Sequence, residues 1–222
     1  MMYPTYIVDN FFDNPEDIVE LANSLPFPNK GINFPGSRTH PLHSTHNDFF
    51  NWSLLRILSV IFPDGQNNFT AQAVFQKIPA NLSEVDFIHQ DTEDKLTAIV
   101  YLNKNGTSGT SLFKPKTFVT LDLKNTNKYN YYKSPEKYKG DKLKELKKEK
   151  EILRDQFNET VSVSGVYNRL FMFDGHQYHS QHLNINKEER LTYIVFFSKI
   201  ESWNAHKATV ENNKPLEIMR KT

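Results

Sequence analysis

Two kinds of hydrophobic spacing divide the chain. In the first part, apolar positions recur at helical intervals. Tyr6 to Val8 reads as a short first strand. After it, Asn14 can cap a helix, Pro15 suits the first helical position, and Glu16 and Asp17 favour the positive end of its dipole. Ile18, Leu21, Ala22 and Leu25 then share one face. The stretch Pro26 to His46 is rich in Pro, Gly, Asn and Ser and reads as a long loop. A second helix is predicted from about Phe49 to Phe62, stopped by Pro63 and Gly65, with Phe49, Trp52, Leu55 and Val60 as its packing face.

From Phe69 the pattern changes to strands. Ala71, Ala73 and Phe75 alternate with Gln72, Val74 and Gln76, while Leu96 to Leu102 is a continuous β-branched and apolar run. Phe118 to Leu121, Val161 to Val163, Leu170 to Phe173 and Leu191 to Phe197 complete the set. Short strands separated by turn signals predict a sandwich or barrel. Lys133 to Phe157 interrupts them with a lysine-rich helical stretch whose apolar side is Leu143, Leu146, Ile152 and Leu153. The expected organisation is one domain over residues 1–222: a strand and helices over 1–65, a strand core over 69–200, and the insertion at 133–157.

Composition narrows the class. A hydrophobic fraction of 38% and an aromatic fraction of 13% exclude a disordered chain, and 17 Phe with 10 Tyr favour strands. The formal net charge of +1 provides no overall field for nucleic acid or membrane. Without cysteine there are no disulfides, thiolate metal sites or cysteine nucleophiles, which fits a cytosolic protein. No apolar run approaches the ~20 residues of a bilayer span, and Met1 to Phe11 lacks a signal-peptide layout. These features predict a soluble, cytoplasmic protein.

Three signals carry chemistry. His89-Gln90-Asp91 stands just before the apolar strand that begins at Leu96. Residues two apart on a strand face one side, so an imidazole and a carboxylate can aim at one metal ion and leave positions open. Such a triplet alone is common by chance. Later comes Tyr167 to Ser180, a strand, an Asp174-Gly175 turn and a second strand start carrying His179. Last, Arg190 opens the apolar strand Leu191 to Phe197; a charge there is costly without a partner, and a guanidinium can receive a carboxylate through two parallel hydrogen bonds.

With these residues the chain resembles the 2-oxoglutarate and iron(II)-dependent dioxygenase superfamily, in its prolyl-hydroxylase-like branch. The resemblance covers roughly Phe75 to Lys199: His89-Gln90-Asp91, the segment Ala98 to Asn103 followed by Gly109 to Phe113, Phe173 to His179, and Arg190-Leu191-Thr192. Val8 to Phe12 and Phe34 to Arg38 also resemble the N-terminal part of related phage and bacterial oxygenases. The resemblance implies a mainly β fold with packing helices, a distorted double-stranded β-helix or jelly roll. It further implies that His89, Asp91 and His179 bind iron(II), that Arg190 pairs with the distal carboxylate of 2-oxoglutarate, and that Tyr101 and Thr192 add hydrogen bonds. Dioxygen would be consumed and succinate and carbon dioxide released. The carboxylate of Asp91 points to hydroxylation, or demethylation through a hydroxylated product, because halogenases of the family lack it.

Other readings stay open for several residues. His176 and His182 flank His179; His179 is preferred because it starts the strand after the turn. His40, His43 and His46 read as surface residues of a loop. Tyr101 is a cosubstrate contact or a core aromatic, and Arg169 is a surface ion pair or a substrate contact. Gln76 reads as an ordinary strand residue. The lysines from Lys137 to Lys150 alternate with acids and read as a solvated helix face rather than a phosphate-binding surface. Tyr129, Tyr131 and Tyr132 belong to a lid or a plain loop. A non-catalytic jelly-roll binding protein and a cupin-like metalloenzyme without the ketoacid are the rival functions. The substrate can be a protein side chain, a nucleobase, an amino acid or a small metabolite.

Overall fold

Leu96–Tyr101 lacks period-two alternation because the strand is buried on both faces, and that position sets the architecture. The computed structural model describes residues 3–31, 34–63, 67–80, 82, 85, 87–117, 131–182 and 188–202. Its strands begin with β1 (Tyr6–Val8), β2 (Asn29–Lys30), β3 (Ser37–Arg38), β4 (Asn67–Ile78) and β5 (Leu96–Tyr101). They continue with β6 (Thr107–Pro115), β7 (Phe157–Gly165), β8 (Leu170–Asp174), β9 (Tyr178–Gln181) and β10 (Arg190–Ser202). The larger sheet runs β1-β8-β5-β10-β4-β3-β2 and the smaller β7-β6-β9, with antiparallel pairing throughout. The protein is mostly β with a few helices, in the jelly-roll class.

The larger sheet has two different faces. Ala73 and Phe75 of β4, Ala98 and Val100 of β5, and Tyr193 and Val195 of β10 point to one side. There they meet α1 (Pro15–Ser24) and α3 (Asn47–Ile61) in the main apolar core. The alternate residues Val74, Ile99 and Ile194 point the other way, toward Leu112 of β6 and Val163 of β7. β5 serves both layers, which is why it reads as one unbroken apolar run.

Several expectations need correction. Asn14 precedes α1, but its side chain makes no capping bond; Pro15 and the acidic first turn start the helix without it. Helix α3 buries Phe50, Leu54, Ile57 and Leu58, whereas Trp52 is 45% and Leu55 51% exposed. Phe49 and Val60 of the expected face do pack against the core, but the docking stripe is centred on 50, 54, 57 and 58, which turns Trp52 and Leu55 outward. The supposed loop 26–46 contains the β2–β3 hairpin and a one-turn helix, α2 (Leu42–Thr45), elements too short to show a period. Strand β6 was not anticipated, because Thr107-Ser108-Gly109-Thr110-Ser111 looks like loop chemistry; it is the central strand of the smaller sheet.

The lysine-rich stretch forms α4 (Asp141–Arg154), which buries Leu146 and Lys150. Ile152, assigned above to its apolar side, is 57% exposed. The stem of Lys150 is covered while its ammonium lies 4.6 Å from the Phe87 ring centroid. The predicted strand Phe118 to Leu121, Gly65 and Tyr129 lie outside the described residues. Among the described residues no helix is long and apolar enough to cross a membrane.

Candidate metal centre and anion pocket

His89 and His179 are joined by the backbone before their side chains meet. His89 N–H donates to the His179 carbonyl (3.0 Å) and His179 N–H to the His89 carbonyl (2.8 Å), a single antiparallel bridge between the segment before β5 and strand β9. Directly paired residues put their side chains on the same face, and the two rings lie 4.3 Å apart, centroid to centroid. Each ring is also oriented from behind: Nδ1 of His89 donates to the Phe87 carbonyl (2.8 Å), and Nδ1 of His179 to the Gln177 carbonyl (2.9 Å). A carbonyl only accepts, so each Nδ1 carries the proton. In that tautomer Nε2 is the unprotonated nitrogen, the form that ligates a metal.

Asp91 completes the group. Its N–H donates to the Gly175 carbonyl (2.8 Å), and its Oδ2 accepts from the Thr97 hydroxyl at 2.8 Å. A Cβ on Gly175 would fall 2.4 Å from the Asp94 carbonyl oxygen, so the Asp174-Gly175 turn lies close against the Asp91–Asp94 segment only because the residue is glycine. The carboxylate stands 3.9 Å from Nε2 of His89 and 3.4 Å from Nε2 of His179. One ligand atom from each of the three residues falls within 4.8 Å of the others. Two imidazoles and one carboxylate are the donor set of an iron(II) centre that keeps positions open.

These atoms line a cavity of about 850 Å³ between the two sheets. Arg190, at the start of β10, lies in its wall and is 4% exposed. Nη1 donates to Gln181 Oε1 (3.2 Å) and Nη2 to Thr110 Oγ1 (3.4 Å), while Nε has no partner among the described residues. Tyr101 is fully buried; its hydroxyl donates to Thr110 Oγ1 at 2.8 Å, and its ring lies 5.3 Å from the guanidinium. Burial pushes the Arg190 guanidinium below the ordinary arginine range, opposed by the nearby Tyr101 hydroxyl, and burial pushes the Tyr101 phenol up. Thr192 Oγ1, directly opposite Tyr101 on the neighbouring strand, is buried with no partner among the described residues. Thr110 already accepts twice, so its own proton is free to donate. A buried cation with no carboxylate in contact among the described residues, beside two spare hydroxyl donors, fits an incoming carboxylate.

The remaining sequence candidates divide clearly. His176 and His182 do not line the cavity: His176 Nδ1 lies 3.2 Å from Asp174 Oδ1, and His182 Nε2 lies 2.7 Å from the Ser111 hydroxyl. His40, His43 and His46 are also away from it, with His43 edge-on to Phe50. Arg169 is a surface residue that grips Asp9 with two bonds, of 2.6 and 2.9 Å. Gln76, read above as ordinary, is 2% exposed and lines the cavity. Sequence reasoning gave no role to Thr97, Thr110, Gln181 or Arg38. No local pattern marks them: Thr97 meets Asp91 across the turn at 92–93, where strand parity does not carry, and Arg38 meets Gln76 only through strand pairing. Arg38 sits where burial pushes it down to about 10 despite the carboxylates of Asp91 and Asp94. Burial, with Asp91 and Glu93, pushes Asp94 up to about 6.

Comparison with known proteins adds the family. The sequence profile described as "Family of unknown function (DUF6445)" matches residues 2–194. The chain belongs to that family. No curated protein matches it. Among solved structures, the epimerase SnoN in complex with Fe3+, alpha ketoglutarate and nogalamycin RO is similar over 87% of this chain and 78% of its own, with a TM-score of 0.52 and 11% identity. A prolyl hydroxylase from Trichoplax adhaerens, in complex with a hypoxia inducible factor oxygen degradation domain peptide fragment, is similar over 87% and 82%, with a TM-score of 0.50 and 12% identity. At that identity the likeness is one of fold.

Proposed function

We propose that this DUF6445 chain is an iron(II)- and 2-oxoglutarate-dependent oxygenase that hydroxylates a C–H bond of its substrate. The balance is substrate, 2-oxoglutarate and dioxygen going to hydroxylated substrate, succinate and carbon dioxide. His89, Asp91 and His179 hold the metal in this reading. Bound there with 2-oxoglutarate, iron(II) supplies the means to reduce dioxygen and oxidise an unactivated C–H bond. The chain's own residues hold and orient. Phe87 and Gln177 carbonyls keep both imidazoles in the ligating tautomer, and the Thr97 hydroxyl holds the Asp91 carboxylate. Arg190 and Thr192, with Thr110, receive the distal carboxylate of 2-oxoglutarate, while Tyr101 acts from behind through Thr110.

One observation carries the reading: the three ligand atoms and the uncompensated Arg190 guanidinium share a single cavity. A metalloenzyme without a ketoacid would leave that guanidinium without a counter-charge. The two structural neighbours, one described as an epimerase bound to alpha ketoglutarate and the other as a prolyl hydroxylase, are in keeping with it. The test is spectroscopic. Iron(II) and 2-oxoglutarate added together without oxygen are expected to give a visible charge-transfer band that neither gives alone, and admission of oxygen should yield succinate. A protein showing neither, with its fold intact, is not this enzyme.

A further inference from the structure

The β2–β3 hairpin is small, yet it is fitted tightly to the edge of the larger sheet. Gly36 has a φ of +74°, and a Cβ there would stand 2.0 Å from the Lys77 carbonyl oxygen, so only glycine lets the hairpin lie down on β4. The register then sets Arg38 opposite Gln76. The amide of Gln76 is used twice: its Nε2 donates to the Pro35 carbonyl (2.7 Å), and its Oε1 accepts from Arg38 Nε (2.9 Å). The guanidinium lies 3.7 Å from the Phe34 ring centroid and 5.1 Å from that of Phe196. Two aromatic rings and one amide therefore hold its plane.

What this arrangement leaves open is the Nη edge. Arg38 lines the cavity, and among the described residues Gln76 Oε1 takes its Nε while neither Nη has an acceptor. Asp91 and Asp94 are near enough to favour its charge, but neither comes within ion-pair distance. Lys30, on the adjoining β2, lines the cavity too and adds positive charge on this side. Glu93 and Asp94 also line it and repel an anion from their own part of the wall. β4 separates β3 from β10, so the backbone carrying Arg38 lies two strand spacings, about 10 Å, from that carrying Thr192. A carboxylate seated on Arg190 and Thr192 leaves the Arg38 edge free for another oxyanion.

We propose that the substrate is an anion, bearing a carboxylate or phosphate group that Arg38 receives through its Nη edge, with Phe34 and Phe196 holding the guanidinium in place. This rests on the oxygenase reading for the identity of the site, and on the geometry of the hairpin for the charge of its occupant. The two oxyanions are the same chemistry to a guanidinium, and the experiment separates them.

Ligand-observed NMR and calorimetry on the full chain, saturated with zinc and 2-oxoglutarate, would use matched fragment pairs. Benzoate is set against benzamide, and phenyl phosphate against phenol. Prior saturation keeps the anions from Arg190, and the metal-free repeat below controls for any that reach the metal's open position. At least one anion is expected to bind about tenfold more tightly than its neutral twin, as a charge-assisted pair does. Preference in the benzoate arm assigns a carboxylate substrate, and preference in the phosphate arm a phosphate ester. Arg38→Ala should bring the ratio near one, with Arg38→Lys between, and 2-oxoglutarate binding by both variants should stay within twofold. Should Arg38→Ala fail to fold, Arg38→Gln and the wild-type pairs still decide. Equal binding within both pairs, or a preference that survives loss of Arg38, overturns the proposal. Repeating the pairs on metal-free protein without 2-oxoglutarate separates the two ideas: an anion preference that depends on Arg38 there stands even if the charge-transfer band is never seen.

Discussion

The two faces of the larger sheet are made by the same strands and obey opposite rules. On the helix side, Tyr193 of β10 meets Phe75 and Phe49 at 5.3 and 5.4 Å between centroids, and its hydroxyl is 2.6 Å from Ser53 Oγ. Ser53 gives its own proton to the Phe50 carbonyl (3.0 Å), so Tyr193 is the donor, and the polar groups of that contact are satisfied. One residue earlier, Thr192 faces the cavity with a buried hydroxyl that has no partner, and two residues before that Arg190 does the same with its Nε. A single strand thus carries a closed core on one side and unspent hydrogen-bonding capacity on the other. Burial with satisfied polar groups stabilises a fold; burial with unsatisfied ones destabilises it unless a ligand completes the set. The helix side holds the sheet together so that the cavity side can remain incomplete.

That contrast can be broken at either face. The largest effect is expected from Asp91→Ala or His179→Ala. If these residues hold the metal as proposed, succinate formation should fall by more than about 100-fold, since even groups that merely orient ligands are worth 10–100-fold; iron content measured alongside should fall too, with the melting temperature little changed. A variant that keeps its iron and turnover would remove that residue from the ligand set. Leu54→Ala should do the reverse. Leu54 is fully buried under the helix layer, so the change should cost about 2–5 kcal/mol in denaturant unfolding and leave the affinity for 2-oxoglutarate within twofold.

Arg190→Met sharpens the comparison because its two effects should have opposite signs. Loss of a charge-assisted contact should weaken 2-oxoglutarate binding by about 1.5–3 kcal/mol, while the ligand-free protein should be unchanged or more stable, because a buried, unbalanced cation has been removed. A fall in stability with no change in binding would reclassify Arg190 as a structural residue. The smallest effect belongs to the surface. The Arg169 guanidinium holds the Asp9 carboxyl below the usual carboxylate range. That pair's contribution is complete above the ordinary aspartate range and is lost as pH falls below it. Asp9→Asn should cost under about 1 kcal/mol near neutral pH and nothing in strong acid, and unfolding curves at the two pH values check it.

Legibility in the sequence followed the range of the forces involved. β5, β8 and β10 were readable because buried strands need apolar and β-branched side chains wherever they pack, and α1 was readable from its apolar face and its proline start. β6 was hidden because a strand between two partners can be made of Ser, Thr and Gly when its neighbours supply the bonds. At Gly109 a Cβ would lie 1.8 Å from the Val163 carbonyl oxygen, a constraint imposed by β7 that no local pattern announces. The face of α3 was legible in part: Phe49 and Val60 pack on the core, whereas Trp52 and Leu55 turn outward, because the sheet beneath centres the docking stripe on 50, 54, 57 and 58. Within the candidate site, His89, Asp91, His179 and Arg190 stood out by residue type and spacing. Arg38 and Thr110 did not, since each acts through a partner remote in sequence.

By itself the sequence determined the elements with strong periods and the residue types able to hold a metal and a carboxylate, because side-chain pattern and donor chemistry are local properties. Tertiary structure alone decided which atoms converge. The bridge between His89 and His179, the close pass of Gly175 against the Asp91 loop, and the seat of Arg38 on Gln76 each join segments at least tens of residues apart. Their geometry is set by strand register and excluded volume, neither of which a single stretch of chain contains.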